Sequence, residues 1–169
     1  VRSSAASDVY KRQAHVGVLW EGTSNIIALD LVTRAIGKAG AHRGLAQRLT
    51  ERLGAASLPD SHRQHLGNAL DRALLLAEDV ARHPEADSHA RSAASGLYNA
   101  VTAVLLAWEG TRDPADARRA LVSRLVLEHR LAPRDPLARV ERPWENPAAD
   151  ILLAGKPVPM AEAAALLGD

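Results

Sequence analysis

The run LGNALDRALLLAEDVA, residues 66–81, decides the fold class. Most of its apolar positions, Leu66, Ala69, Leu70, Ala73, Leu74, Ala77, Val80 and Ala81, recur by threes and fours. At 3.6 residues per turn that spacing lines one side of a helix, whereas a half-buried strand would alternate apolar with polar residues. Upstream, Ser57, Pro59 and Asp60 are residue types that begin helices, and downstream the pair His83-Pro84 stops one, because the residue before a proline is pushed out of the helical region. One long helix therefore occupies the middle of the chain.

Four more helices flank it. Before the central one, Thr23-Ser24-Asn25 supplies cap residue types ahead of Ile26, Leu29, Val32 and Ile36, with Gly37 and Gly40 as its end. Leu45, Leu49 and Leu53, ahead of Gly54, mark a shorter second helix. After the central helix, Ala90, Ala94, Leu97, Val101, Val104, Leu105 and Trp108 give a helix apolar over a wide arc, closed by Gly110. Asp113-Pro114 with Asp116 reads as the next start, with Leu121, Val122, Leu125 and Val126 as its core side, fading near Pro133. Five prolines from Pro136 to Pro159 then leave room for two short helical pieces, around residues 148–154 and 160–167. The expected fold is all-α: an antiparallel bundle of about five helices, wrapped by a Pro-rich C-terminal tail.

Composition agrees with this and narrows function. At 169 residues, 47% of them hydrophobic, the chain can bury one sizeable core. Its apolar content is mostly Ala, Leu and Val with no Phe, a mix suited to closely packed helices. Basic and acidic residues number 21 and 20, so charge alone implies neither nucleic acid nor an anionic membrane as a partner. The absence of Cys removes disulfides, thiolate nucleophiles and Cys-ligated metals. No apolar run reaches membrane-spanning length and no secretory pattern stands at the start, so a cytoplasmic location is expected. The opening VRSSAASDVYKRQ, residues 1–13, shares no periodicity with the rest of the chain and resembles a translated adapter remnant. It is set aside from fold reasoning, and the expectation is a C-terminal piece of a longer protein.

Trp-Glu-Gly-Thr occurs twice, at residues 20–23 and 108–111, and the residues after each copy diverge at once. The second copy ends an apolar helix and runs into Arg112-Asp113-Pro114. It reads as structural: Trp108 in the core, Gly110 as C-cap and Asp113 as the next N-cap.

The first copy stands in VLWEGTSNIIALDLVTRAI, residues 18–36. This stretch resembles the C-terminal part of acyl-CoA dehydrogenases: an aromatic residue, Glu-Gly-Thr, a few polar residues, then an amphipathic helix. Trp20 in place of Tyr, and Leu29-Asp30 within the helix, make it more similar to the large AidB-like branch with a helical C-terminal extension. The match covers residues 18–36 only. On that resemblance residues 14–40 are the end of the family's C-terminal helical domain and residues 41–169 the extension.

The resemblance implies an FAD-dependent oxidoreductase acting on an acyl-CoA thioester. Glu21 is then the catalytic base that removes the α-proton, a task that suits a carboxylate whose pKa is raised in a dry pocket. Gly22 lets backbone approach the substrate closely. Thr23, Ser24 and Asn25 face FAD from a helix N-terminus, where free N–H groups favour a phosphate. The family's other domains are needed to enclose flavin and substrate, so this chain alone is expected to be inactive. The resemblance further implies homo-oligomeric assembly, with the extension packed on the bundle or on a partner subunit. Two other readings are an autonomous helical protein-interaction module and an AidB-like flavoprotein with a nucleic-acid-linked stress role.

Other constellations are weaker. Asp60, His62 and His65 could face one another at the start of the long helix, as His-x-x-His does in some metal sites, but further ligands to complete a site are not in evidence, and a solvated polar turn is expected. Arg43, Arg48, Arg52, Arg63, Arg72, Arg82 and Arg91 could form a basic stripe. From residue 39 onward, however, 16 basic residues face 17 acidic ones, which weakens any case for nucleic acid.

Overall fold

The computed structural model describes residues 24–132, 137 and 142–168. Among them every regular element is helical, and seven helices run in chain order. Helix α1 is α-helical over Ser24–Asp30 and continues as a wider π-helical segment over Leu31–Lys38. Then come α2 (Ala41–Ala55), α3 (Asp60–Arg82), a 3-10 segment (Pro84–His89) and α4 (Ala90–Gly110). Helix α5 (Arg118–Val126) runs into a π-helical turn (Leu127–Leu131), and the tail contributes α6 (Glu145–Leu153) and α7 (Met160–Leu167).

Helices α3 and α4 form the centre and run antiparallel. The C-terminal part of α3, with Ala77 and Val80, meets the N-terminal part of α4, with Ala90, Ala93 and Leu97. Leu66, Ala69 and Leu70 near the start of α3 share a cluster with Ala100, Ala103, Val104 and Ala107 near the end of α4. Fully burying a leucine such as Leu66 or Leu70 stabilises by roughly 1.5–3 kcal/mol. The alanine stripe on α4 holds neighbours close enough for that burial to be dense.

Helix α1 packs on the first of these clusters through Ala28, Val32 and Ile36. A strict spacing of four drifts by about 40° per step on an ideal α-helix. The wider π winding over Leu31–Lys38 takes up that drift and keeps Val32 and Ile36 aligned with Ala28. Its end is marked by the bond from Ala39 N–H to Arg34 O, 2.9 Å, after which Gly40 takes φ 61° and turns the chain into α2. The expected core face therefore shifts: Ile26 points to solvent at 61% exposure, and Ala28 takes the buried position. On α2, Leu49 and Leu53 are buried as their spacing predicts.

The second cluster is closed by α5 and the tail. Helix α5 crosses α4 so tightly that a Cβ on Gly110 would lie 2.3 Å from the backbone nitrogen of Ala120. Gly110 is thus the last helical residue of α4, required for close approach, rather than a left-handed cap. The start of α5 also moves: Asp113 Oδ1 accepts the Ala115 N–H at 2.9 Å in a turn, and the helix begins at Arg118. The intervening loop is pinned by the tail, with Ala117 N–H donating to Val158 O and Met160 N–H to Pro114 O. Val158, Ala163 and Leu167 complete the core, so the tail wraps the bundle as two short helices.

The buried side of α5 differs from the expected Leu121, Val122, Leu125 and Val126. It comprises Ala120, Leu121, Ser123, Arg124 and Leu127. The close crossing at Gly110 fixes the rotation of α5, and two polar side chains go inside because partners await them there.

Candidate functional site

Of the residues that the resemblance singles out, Glu21, Gly22 and Thr23 lie outside the described residues. Ser24 and Asn25 are the first two described residues of α1. Both are exposed, and among the described residues neither side chain has a hydrogen-bond partner. The neighbouring Ile26 and Ile27, 61% and 52% exposed, leave the outer side of α1 apolar and uncovered.

The second Trp-Glu-Gly-Thr is a structural joint. Trp108 is half-buried rather than fully in the core, with the guanidinium carbons of Arg52 and Arg112 at 4.6 and 5.0 Å from its ring centroid. Glu109 pairs with Arg119 at 2.5 Å, and Thr111 Oγ1 donates to Trp108 O at 2.8 Å.

His62 departs from the solvated turn expected of it. The imidazole is 1% exposed, and its Nε2 lies 2.8 Å from Ser123 Oγ. Burial, with Arg124 and then His65 adding positive charge nearby, lowers its pKa to about 4, so the ring is neutral at neutral pH. His65 is exposed and faces a separate groove with Asn68 and Arg72. The two histidines therefore do not converge, and among the described residues no group of three or more His, Asp or Glu could hold a metal ion. His62 was missed because its polarity hid that it falls on the same face as Leu66 and Ala69.

Two further clusters involve charge. His42, 7% exposed, meets Glu78 Oε1 through Nε2 at 2.8 Å, while its Nδ1 has no partner among the described residues. That hydrogen bond, reinforced by Arg82, holds the Glu78 carboxyl below its ordinary pKa. Asp116 is held at about 2, chiefly by its hydrogen bonds to Arg118. Each acid faces its own base, which makes these clusters structural.

Three of the seven arginines of the supposed basic stripe are engaged within the fold. Arg52 stacks on Trp108, Arg63 pairs with Asp60 and donates to the carbonyls of Ala56 and Leu58, and Arg82 pairs with Glu78. Arg72 lines an open groove of about 390 Å³ together with Arg130, over Ala73, Leu76 and Leu131. Among the described residues no helix is long and apolar enough to cross a membrane. No protein-family model, no curated protein and no solved structure matches the chain.

Proposed function

We propose that this chain is the C-terminal part of a cytoplasmic FAD-dependent oxidoreductase of the acyl-CoA dehydrogenase type, inactive by itself. The observation that carries the reading is the sequence order Trp20-Glu21-Gly22-Thr23-Ser24-Asn25 ahead of the apolar spacing of α1, with Ser24 and Asn25 exposed and their side chains without hydrogen-bond partners among the described residues. Together with Thr23, those two side chains would hold FAD oxygens at the helix start. The exposed Ile26 and Ile27 support it further, since a helix linking two helical bodies needs apolar residues on both sides.

In this reading Glu21 takes the α-proton of the thioester, and Gly22 leaves room for the acyl group. Bound FAD would accept the β-hydrogen as hydride. Helices α2–α7 act as an extension that supports α1 and contributes to homo-oligomeric assembly. The test extends the chain through its upstream reading frame. The longer protein should be yellow and its flavin should bleach with an acyl-CoA, while this chain alone stays colourless. Glu21→Gln should abolish bleaching without loss of flavin; normal bleaching removes Glu21 as the base, and a colourless extended protein removes the flavin reading.

A second reading, an autonomous helical interaction module, is favoured by a different observation. The cluster formed by α2–α5 and the tail, from Leu49 to Leu167, is closed without α1. It predicts that an isolated fragment beginning at Ala41 folds cooperatively.

A further inference from the structure

The groove that Arg72 of α3 shares with Arg130 of the π-helical turn after α5 holds positive charge that the fold does not offset. Both arginines are exposed, and among the described residues neither side chain has an ion-pair, hydrogen-bond or stacking partner. The groove at the α4–α5 joint shows the opposite pattern, with Arg118 facing Asp116 and Arg119 facing Glu109. Glu128, on the same π turn as Arg130, pairs with Arg142 and is approached by Arg124, so its charge is already answered. Two cations that share a groove without a counter-charge repel each other, and an anion between them removes that cost.

The surface beside the two arginines is apolar. A second groove, of about 310 Å³, adjoins the first one of about 390 Å³; the two share Ala69, Arg72 and Leu131, and Leu127 extends the apolar floor. Concave, mainly apolar surfaces of this size with a few placed polar groups are the kind that take small molecules. The π turn is an independent sign, because such turns recur at functional sites. Its wide winding, closed by the bond from Ala132 N–H to Leu127 O at 2.9 Å, carries both Arg130 and Leu131 into the groove lining. A nucleic acid would call for a longer run of cations, and an inorganic anion would leave the apolar floor unused. We propose that this trough binds a small organic anion, with its carboxylate between Arg72 and Arg130 and its apolar body over Ala69, Leu127 and Leu131. A planar guanidinium offers a carboxylate two parallel donors, which suits the arginines to that head group. The site uses none of residues 20–25, on which the flavoprotein reading rests.

Heteronuclear NMR titration of the full chain with naphthoate, a carboxylate on a compact apolar body, tests the proposal. Naphthoate should bind saturably and shift amides of residues 69–76 and 127–132. Arg72→Met and Arg130→Met, both at exposed positions, should each weaken binding by about tenfold while circular dichroism stays unchanged. Arg48→Met, which removes a cation from α2 and lines neither groove, should leave it intact. Naphthylmethanol, with the same body and no charge, should bind at least about tenfold more weakly than naphthoate. Inorganic phosphate should not saturate the site. Absence of saturable naphthoate binding overturns the proposal, as does binding that survives both groove variants or shifts that fall elsewhere in the chain. Equal binding of the alcohol removes the role of the arginines, and phosphate binding as tightly as naphthoate removes that of the apolar floor; either result overturns it as well.

Discussion

His62 Nε2 and Ser123 Oγ lie 2.8 Å apart with both side chains buried, joining the start of α3 to the middle of α5 through the core. The imidazole must stay neutral there, and its pKa falls from 6.5 to about 4, first through burial and then through Arg124 and His65. Unfolding restores the ordinary value, so between these two pH values the unfolded chain binds more protons and stability falls as pH falls. The contribution is full above about pH 6.5 and is lost by about pH 4, amounting to on the order of 3 kcal/mol. Denaturant unfolding at a series of pH values should show the decline. His62→Gln should be less stable at pH 7 yet should lose most of the slope between pH 6.5 and 4; an unchanged slope would assign it to other groups.

Two glycines of α4 should respond to alanine in opposite directions. At Gly110 the added Cβ meets the nitrogen, Cβ and Cα of Ala120 at 2.3, 2.9 and 3.0 Å, all rigid neighbours. Gly110→Ala must push α5 away and should cost about 3 kcal/mol. At Gly96 the added Cβ meets nothing within 4 Å, so Gly96→Ala gains helix propensity and should stabilise by about 0.5–1 kcal/mol. Chemical denaturation midpoints of the two variants check both signs.

The same contrast separates what the sequence discloses from what it hides. Residues 66–81 set α3 correctly because their period reflects burial directly, and the prolines around the tail leave room only for the two short helices found there. The rotation of α5 was not legible. Val122, Leu125 and Val126 look like core, but the backbone contact at Gly110 sets the angle of that helix and turns Ser123 and Arg124 inward. Ile26 fails for a related reason: apolar residues on a helix with two apolar sides do not say which side this chain covers. Both errors concern tertiary geometry, to which periodicity within one helix is blind. At the candidate site, Glu21, Gly22 and Thr23 lie outside the described residues, and Ser24 and Asn25 are exposed helical residues at the N-terminal end of the described part of α1.

Trp108 tests how much a half-buried aromatic relies on its cationic neighbours. Arg52 from α2 and Arg112 from the α4–α5 loop both lie over its ring, at 4.6 and 5.0 Å from the centroid. Neither arginine is deeply buried, so each contact should contribute about 0.5–1 kcal/mol. Arg52→Met should cost that much in the wild type and almost nothing in a Trp108→Leu background. A double-mutant cycle with a coupling near zero would mean that the stacking adds nothing beyond apolar contact.

Arg124 carries the strongest prediction about the tail. It is 5% exposed, donates to Leu166 O in α7, stacks over Trp144 at 4.2 Å and approaches Glu128, which is paired with Arg142. One guanidinium thereby connects α5 to both ends of the segment that carries α6 and α7. Replacing it by Met keeps much of the volume but leaves Leu166 O without that donor and Glu128 with one base fewer. Removing one member of a buried charged network costs about 3–5 kcal/mol. The cost should fall on the docking of the tail, because α3, α4 and α5 retain their apolar contacts without it. Hydrogen exchange is the discriminating measurement: Arg124→Met should speed exchange across residues 145–167 far more than across α3 and α4. Equal acceleration everywhere would mean that the tail is not a separate unit but an inseparable part of the core.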